Sequence, residues 1–166
     1  MEFVAVVAMT EDRIIATEDG VPWDYPEDVK QYKDRVSENP VIVGRTTYES
    51  MLPNPPGARQ IVMSRSLESV DSPMAIVAES VADAVAEAKN IGNKTTYIIG
   101  GGEIYNLLSD EFDRMVVTVV EDTIDPTAYD QIVCFPKWDQ NRWTIYDTDD
   151  SYAGFRIEFW KRTDPT

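Results

Sequence analysis

The segment Thr96-Tyr97-Ile98-Ile99-Gly100-Gly101-Gly102-Glu103-Ile104-Tyr105 leads from a largely apolar run through three glycines straight into helical sequence. An apolar run without alternation indicates a strand that is buried on both faces, which is typical of the parallel sheets of α/β proteins. Glycine lets backbone N–H groups approach a phosphate because no Cβ is in the way, and the start of a helix favours an anion. The three glycines do not match the G-x-G-x-x-G pattern, however, and a tight strand-to-helix turn explains them about as well.

Strands alternate with helices on both sides of this segment. Apolar runs predict strands at residues 2–8, Pro40–Val43 (ending at Gly44), Gln60–Met63, Ala75–Val77 and Thr96–Ile99. Helical spacing predicts helices from Asp28 to about Ser37, at Thr46–Met51, at Val81–Lys89 with Ser80 as N-cap, and at Gly102–Leu108. Strands without helices follow at 114–120, 131–135, 142–147 and 154–161.

This order of elements predicts a single α/β domain over residues 1–166. Its central sheet is expected to be mostly parallel, with flanking helices and an antiparallel C-terminal edge. Residues 9–25 are predicted to be a long loop, and Pro53–Gly57 a turn. The chain contains no internal repeat and no linker-like stretch.

The composition restricts the class of protein. Hydrophobic residues make up 43% of the 166 positions, so disorder is not expected. No apolar run approaches the ~20 residues of a membrane span, and we find no signal peptide before the first strand. The single cysteine, Cys134, excludes an intramolecular disulfide and leaves no thiolate cluster for zinc. We therefore expect a cytoplasmic protein without a bound metal, and a monomer.

The ionisable residues restrict the chemistry. Histidine is absent, which excludes Ser-His-Asp, Cys-His and histidine-ligated metal mechanisms. The net charge is −15, from 30 acidic and 15 basic residues, and a surface this acidic repels nucleic acids and anionic membranes. Because the acidic residues are dispersed along the chain, we interpret them as adaptation to high salt, where screening relieves their repulsion. A calcium-buffering surface is the alternative, but no D-x-D-x-D-G loop is present.

A second informative segment is Val21-Pro22-Trp23-Asp24-Tyr25-Pro26-Glu27-Asp28. Asp24 is suited to the N-cap of a helix, with Glu27 as its partner three residues later. A proline is tolerated in the first turn of such a helix, so the segment predicts a helix start.

The carboxylate of Asp28 is the first candidate functional group in this segment. Val29 and Tyr32 follow at helical spacing, and if they face inward then Asp28 faces inward too. A carboxylate held against apolar surface at a helix start is suited to binding a protonatable ring and managing its proton near neutral pH. Acidic residues are common in first turns, so the alternative is that Asp28 only decorates the helix.

Two further strand ends carry arginine beside hydroxyl groups, in Gly44-Arg45-Thr46-Thr47-Tyr48 and in Met63-Ser64-Arg65-Ser66. Guanidinium and hydroxyl groups next to backbone amides are good ligands for phosphate. Ligands of open α/β sheets bind at the carboxyl ends of the strands. A lone surface arginine is usually a solvated charge, but only 15 residues of this chain are basic and two of them lie at strand ends.

Taken in order, these motifs resemble those of the dihydrofolate reductase family. The resemblance rests on Pro22-Trp23-x-x-Pro26-x-Asp28, Gly44-Arg45-x-Thr47-x-Glu49-Ser50, Pro56-Gly57 and Ile99-Gly100-Gly101-Gly102-x-Ile104-Tyr105. It runs from Glu2 to about Val120 and resumes over the last strands, and the acidic, lysine-poor surface is similar to that of haloarchaeal members. The resemblance implies the dihydrofolate reductase fold and NADPH-dependent reduction of 7,8-dihydrofolate to tetrahydrofolate, which supports one-carbon metabolism and thymidylate synthesis.

Two rival interpretations remain at this point. The related pyrimidine reductase of riboflavin synthesis shares the fold and NADPH, but it is expected to lack the Pro-Trp…Pro-x-Asp unit. A non-catalytic pterin- or nucleotide-binding protein is the other alternative. The presence of Asp28 and of the complete glycine run argues against it.

The resemblance implies roles on the substrate side. Asp28 matches the acid that binds the pterin's 2-amino group and N3 and promotes protonation at N5. Trp23 and Thr118 match a pair that supports this carboxylate, Trp23 through water. Tyr32 takes the place of an aromatic that packs on the pterin and the p-aminobenzoyl ring. The other implied substrate-side residues are Val6, Val7, Ala8, Val29 and Ile99.

The resemblance also implies an NADPH site. Arg45 and Arg65 match positions that favour the 2′-phosphate, and Gly100 to Gly102 match the run that meets the pyrophosphate. Ile99 and Tyr105 match residues around the nicotinamide ring. The full set implied for the cofactor is Ala8, Ile15, Gly44, Arg45, Thr46, Thr47, Ser64, Arg65, Gly100, Gly101, Gly102, Glu103, Ile104 and Tyr105.

Three departures from the family pattern affect the surroundings of the site. Ala58 stands where the family usually has an arginine that pairs with the glutamyl tail, and the adjacent Arg59 is expected to point elsewhere because side chains alternate along a strand. The loop over the site carries Ala16 in place of a glycine and Val21 as its lid residue. Residues 121–134 read as an insertion, which puts coupling between the two loops in doubt.

Overall fold

Strands and helices alternate through the first two thirds of the chain, and strands alone follow. A computed structural model describes residues 1–163. Its elements are β1 (Glu2–Met9), β2 (Ile14–Thr17), α1 (Pro26–Val36), β3 (Pro40–Gly44), α2 (Arg45–Ser50), β4 (Arg59–Met63), β5 (Ala75–Ala78), α3 (Val81–Ile91), β6 (Thr95–Ile98), α4 (Gly102–Leu108), β7 (Arg114–Val120), β8 (Ile132–Cys134), β9 (Trp143–Asp149) and β10 (Phe155–Arg162).

Eight of the strands form one sheet in the order β5-β4-β3-β6-β1-β7-β10-β9. The pairs from β5 to β7 are parallel, and β10 is antiparallel to both β7 and β9. The predicted fold class, a mostly parallel sheet with an antiparallel C-terminal edge and flanking helices, is therefore confirmed.

The sheet is covered on both faces, which explains why its central strands are apolar without alternation. One face packs against α3 and α4 and includes Val7, Ile98 and Val117. The opposite face packs against α1 and α2 and includes residues of β1, β6 and β7 together with Tyr48. The site described below lies on this second face and along the adjacent strand ends.

The helix over Val81–Ile91 follows its sequence signals closely. The Ser80 hydroxyl accepts a hydrogen bond from the backbone N–H of Asp83 at 3.0 Å, so the predicted N-cap is confirmed. The helix ends at Gly92, whose φ of 85° lies in the left-handed region that glycine adopts without strain.

The start of α1 differs from the prediction. Tyr25 is the N-cap and makes no side-chain cap, so the prediction that Asp24 caps the helix with Glu27 was wrong. Pro26 occupies the first turn, where its missing N–H is not needed. The inward orientation of Asp28 was made conditional on Val29 and Tyr32; Asp28 is buried and Tyr32 is half-buried, but Val29 is 45% exposed and does not share the inward face.

The long loop predicted over residues 9–25 contains a strand. The segment Ile14–Thr17 forms β2 and pairs antiparallel with β8, which lies within the strand predicted at 131–135. This pairing joins residues more than 100 positions apart, so no local pattern in the sequence could reveal it. Among residues 1–163, no helix combines the length and the apolar character that crossing a membrane requires.

Candidate active site

The carboxylate of Asp28 lies in the first turn of α1, facing the sheet, and the residue is only 8% exposed. Its Oδ1 atom accepts a hydrogen bond from the Thr118 hydroxyl of β7 at 2.6 Å. The same oxygen accepts a second hydrogen bond from Gln31 Nε2 at 2.8 Å. We call Asp28, Gln31 and Thr118 the Asp28 cluster. The sequence prediction paired Asp28 with Thr118 but missed Gln31, which lies one helical turn away.

Strand β1 runs directly beside this cluster. Ala8 is the register partner of Thr118 in the parallel pairing of β1 with β7. Val6 and Ile99 belong to the apolar group on the same face of the sheet, whereas the side chain of Val7 packs on the opposite face. Residues 6–8 therefore border the cluster with their backbone and with alternate side chains.

Two aromatic residues complete this face. Trp23 and Tyr32 are half-buried and pack against the apolar group that contains Val6 and Ile99. The hydroxyl of Tyr32 is buried and has no hydrogen-bond partner among residues 1–163. Burial raises the pKa of Tyr32 well above its usual value of 10, so this phenol is neutral.

A cavity of about 570 Å³ opens at the carboxyl ends of β3, β4 and β6. We call it the glycine-lined cavity. It brings together ten of the residues implied for the cofactor, namely Gly44, Arg45, Thr46, Thr47, Ser64, Arg65, Gly101, Gly102, Glu103 and Ile104. It also contains residues that the sequence did not indicate, namely Met63, Glu79, Ser80, Val81 and Leu107.

Three glycines of this cavity pack closely against neighbouring side chains. A Cβ on Gly44 would lie 2.9 Å from Ile104 Cγ1, and one on Gly101 would lie 3.1 Å from Thr47 Oγ1. A Cβ on Gly102 would overlap Val133 of β8. A side chain at Gly44 or Gly102 would force its neighbour to shift, and one at Gly101 would fit tightly. Bare backbone of this kind is suited to a closely bound phosphate group.

The two predicted phosphate-binding arginines are exposed and face carboxylates. Arg45 Nε lies 3.3 Å from Glu49 Oε1, and Arg65 Nη2 lies 4.0 Å from Glu103 Oε1. The side chains of Arg65 and Glu103 are 86% and 77% exposed, so this pair contributes little to stability. Both guanidinium groups are therefore accessible to a phosphate that competes with the carboxylates.

Tyr105 and Gly100 connect the glycine-lined cavity to the Asp28 side of the sheet. The Tyr105 hydroxyl donates to the carbonyl oxygen of Val6 at 2.5 Å, and a Cβ on Gly100 would lie 3.1 Å from the Tyr105 ring. Full burial raises the pKa of Tyr105 well above 10. Ile15 lies beside Gly102, where an added Cβ would be 3.8 Å from Ile15 Cδ1. Four implied cofactor residues (Ala8, Ile15, Gly100 and Tyr105) are therefore not among those that line the cavity.

Residues 18–25 contact residues 121–134 through side-chain hydrogen bonds. Glu18 accepts hydrogen bonds from the backbone N–H groups of Asp130 at 2.9 Å and Gln131 at 3.0 Å. These two bonds are the main causes that lower the pKa of Glu18. The Tyr25 hydroxyl donates to Asp122, and this bond is the first cause of a rise in the pKa of Tyr25 to about 12.

The departure at Ala58 lies at the start of β4. Ala58 is half-buried and its backbone N–H donates to the Asn39 carbonyl oxygen at 2.9 Å. Arg59 is exposed, whereas the side chain of Gln60 turns inward and donates to the carbonyl oxygens of Pro56 and Gly57. The alternation along β4 follows the prediction that adjacent side chains point to opposite sides.

Comparison with known proteins identifies relatives over nearly the full length of the chain. A sequence model described as dihydrofolate reductase matches residues 2–159. Dihydrofolate reductase HdrB of Haloferax volcanii is 32% identical, and the alignment covers 99% of this chain and 86% of that protein.

Two other relatives extend this comparison. Dihydrofolate reductase 1 of Haloarcula marismortui is 39% identical over 77% of each chain. Dihydrofolate reductase type 1 of Escherichia coli is 28% identical over 98% of this chain and 99% of its own length. The similarity is therefore not restricted to the Haloferax and Haloarcula proteins.

Proposed function

Because the chain belongs to the dihydrofolate reductase family, we propose that it reduces 7,8-dihydrofolate to 5,6,7,8-tetrahydrofolate with NADPH as the cofactor. The observation that carries this proposal is the buried Asp28 carboxylate, which is hydrogen-bonded to β7 of the same sheet whose strand β6 leads to the glycine-lined cavity. The Asp28 carboxylate is suited to a ring that must be held and protonated, and the glycine-lined cavity to a phosphate-bearing cofactor.

On the substrate side, Asp28 would bind the pterin through its 2-amino group and N3. Thr118 and Gln31 hold one carboxylate oxygen by hydrogen bonds of 2.6 and 2.8 Å, so the carboxylate is fixed before substrate arrives. Tyr32 would pack on the ring system, with Val6 and Ile99 behind it, and Trp23 would support the carboxylate through water. Val29 would lie at the rim, because it is exposed. The backbone of Val7 and Ala8 would border the ring.

On the cofactor side, the residues present are suited to NADPH. Gly44, Gly101 and Gly102 leave room for backbone amides to approach phosphate oxygens. Arg45 and Arg65 would bind the 2′-phosphate, with the hydroxyls of Thr46, Thr47 and Ser64 as further donors. When bound, the cofactor supplies the hydride that C6 of the pterin accepts.

The chain itself must manage the proton that N5 accepts. It contains no histidine, and in the Asp28 cluster Asp28 is the only ionisable group. We propose that Asp28 holds the pterin in the form that takes up a proton at N5. Because burial raises the pKa values of Tyr32 and Tyr105, both phenols stay neutral and would add no negative charge near the ring.

Oxidation of NADPH followed at its absorbance maximum, with dihydrofolate as the second substrate in molar KCl, tests this proposal. We expect turnover that depends on both compounds and produces tetrahydrofolate. Dependence on a ribosylaminopyrimidine in place of dihydrofolate would support the riboflavin-pathway alternative. Binding of both compounds without turnover would support a non-catalytic pterin-binding protein.

We also propose that the protein is adapted to the cytoplasm of a salt-accumulating cell and acts as a monomer. The support is the net charge of −15 and the similarity to the Haloferax and Haloarcula proteins. Repulsion between surface carboxylates acts over about 30 Å in 0.01 M salt and over about 3 Å in 1 M salt. We therefore expect the melting temperature to rise by several degrees between 0.05 and 1 M KCl. A melting temperature that is flat over this range would contradict the halophilic interpretation.

A further inference from the structure

Helix α1 carries a chain of hydrogen bonds that ends on the Asp28 carboxylate. Gln31 Nε2 donates to Asp28 Oδ1 at 2.8 Å. Gln31 Oε1 in turn accepts from Arg35 Nη2 at 3.1 Å and from Arg35 Nε at 3.3 Å. Residues 28, 31 and 35 follow each other at i, i+3 and i+7, so they share one face of the helix.

The arginine determines which way the glutamine amide points. A guanidinium group has only donors, so it must face the amide oxygen of Gln31. The amide NH2 group of Gln31 is then directed to Asp28, which accepts hydrogen bonds when ionised. Without Arg35, the amide could turn its oxygen toward Asp28, and two acceptors would face each other.

Arg35 is itself held from the neighbouring strands. Its guanidinium lies over the Phe159 ring of β10, 5.2 Å from the centroid. The pKa of Asp149 in β9 is lowered, first by hydrogen bonds from Ser151 and least by the charge of Arg35. Arg35 is half-buried, so the sheet and the helix both restrict its movement.

These contacts leave the two oxygens of Asp28 in different states. Oδ1 receives both protein donors, Thr118 and Gln31, whereas Oδ2 has no hydrogen bond within residues 1–163. A carboxylate offers about four lone-pair positions, and two of them are filled on Oδ1. Most of the free acceptor positions are therefore on Oδ2. The two hydrogen bonds to Oδ1 fix the orientation of the carboxylate and so determine where Oδ2 points.

We propose that Gln31 and Arg35 are positioning residues for Asp28, acting as a relay that fixes the orientation of the carboxylate for binding the pterin ring. This proposal rests on the proposed function of Asp28. Neither residue touches the substrate in this scheme. Arg35 acts through Gln31, and Gln31 acts through Asp28.

Variants of Gln31 test the first link. Gln31→Met keeps the length of the side chain but removes the donor, and we expect kcat/KM for dihydrofolate to fall about tenfold. Gln31→Glu would form an ion pair with Arg35 but place a negative charge beside Asp28, so its loss should be larger. The matched control is Lys30→Met, which removes an exposed i,i+4 pair with Asp34 on the same helix and should leave kcat/KM unchanged.

Variants of Arg35 test the second link. Arg35→Met should lower kcat/KM about threefold by releasing the Gln31 amide, and Arg35→Lys should recover part of the loss because it keeps a charged donor. Thermal unfolding of each variant would be measured alongside, because a purely structural role would move the melting temperature and leave the pH profile in place.

The pH profile gives a readout that packing alone does not move. The groups around Asp28 are the Thr118 hydroxyl from β7, the neutral phenol of Tyr32, the Arg35 cation, and Asp149 from β9 facing Arg35. Of these groups only Arg35 is positively charged, and it is linked to Asp28 by the hydrogen bonds of Gln31. We therefore expect Gln31→Met to change the pH dependence of kcat/KM, whereas Lys30→Met should leave it unchanged.

A double-variant cycle decides whether Gln31 acts through Asp28. In an Asp28→Asn background, Gln31→Met should change dihydrofolate affinity and kcat/KM by less than twofold, because its target charge is gone. A tenfold loss in that background, or equal values for Gln31→Met and Lys30→Met in the wild type, would overturn the relay while leaving the proposed function intact.

Dihydrofolate affinity, measured by quenching of tryptophan fluorescence, separates the two proposals. A wild type that binds dihydrofolate but does not reduce it would refute the proposed function, and the affinities of the Gln31 variants would then decide the relay. A wild type that neither binds nor reduces dihydrofolate would overturn both.

Discussion

The Asp28 cluster and the glycine-lined cavity lie on the same sheet, but they differ in burial and in the interactions of their charged groups. In the cluster, Asp28 is 8% exposed and each donor has a defined acceptor at 2.6 to 2.8 Å. In the cavity, the Arg65 side chain is 86% exposed and its nearest carboxylate lies 4.0 Å away. The cluster is made of side chains fixed by hydrogen bonds, whereas the cavity combines bare backbone with exposed charged side chains.

This difference predicts how each region tolerates change. Altering one partner of a buried, hydrogen-bonded charge costs much free energy, because the remaining groups are left without hydrogen bonds where water cannot replace them. An exposed ion pair is screened by salt and contributes at most about 1 kcal/mol. Substitutions in the cluster should therefore have larger effects than substitutions of charge in the cavity.

The largest effect is expected at Asp28. Asp28→Asn should preserve the fold and lower kcat at neutral pH by roughly 10²–10⁴. The loss should shrink as the pH falls, because substrate then arrives already protonated. The matched control is Asp34→Asn, an equivalent change at an exposed position of the same helix. Near-wild-type turnover of Asp28→Asn at pH 7 would remove the cluster from the chemistry.

A smaller effect is expected for the arginines of the cavity. Replacing Arg45 and Arg65 together by Met should weaken NADPH binding by about 10- to 100-fold, since charge-assisted contacts to the 2′-phosphate are lost from an exposed site. NADH affinity should change by less than threefold. Arg59→Met, at another exposed arginine, serves as the control. Equal losses for the two cofactors would mean that these arginines do not contact the 2′-phosphate.

The backbone of the cavity offers a third test. Gly102→Ala would place a Cβ against Val133, so we expect about tenfold weaker NADPH binding and a lower melting temperature, as overpacking typically destabilises by about 1–3 kcal/mol. Adding Val133→Ala should recover both quantities, because it removes the clashing methyl group. Recovery of stability without recovery of NADPH affinity would indicate that the glycine itself, and not the space, matters for the cofactor.

The smallest effect is expected at Ala58. The family resemblance implies an arginine there for the glutamyl tail, so the wild type should discriminate weakly between pterins with and without that tail. Ala58→Arg should raise the preference for tailed substrate by about 3- to 10-fold at low salt and less at high salt. A wild type that already prefers tailed substrate a hundredfold would mean that another basic residue supplies the contact, and Arg59 would be tested next.

The two regions also differ in how far the sequence predicted them. The cavity could be predicted well, because its glycines and arginines fall at strand ends, where local patterns are informative. Residues such as Glu79 and Leu107 were missed, because only packing of α3 and α4 brings them to the same cavity.

The Asp28 cluster was predicted only in part. The pairing with Thr118 spans 90 positions in the chain and came from the family resemblance, because periodicity in one helix says nothing about its partner strand. Gln31 was missed although its i+3 spacing from Asp28 was a usable signal. Val29 was used as a condition for the inward orientation of Asp28, yet it lies exposed, since the helix turns its Asp28–Gln31–Arg35 side toward the sheet. Strand β2 was missed because its partner lies far along the chain.

The central claim is that these two unlike regions serve one hydride transfer. Incubating the wild type in molar KCl with dihydrofolate and NADPH that carries deuterium at both C4 positions, followed by mass spectrometry of the products, tests it directly. The account predicts one deuterium in tetrahydrofolate, located at C6, for each NADPH consumed. Tetrahydrofolate without deuterium, or NADPH consumption without tetrahydrofolate, would contradict it.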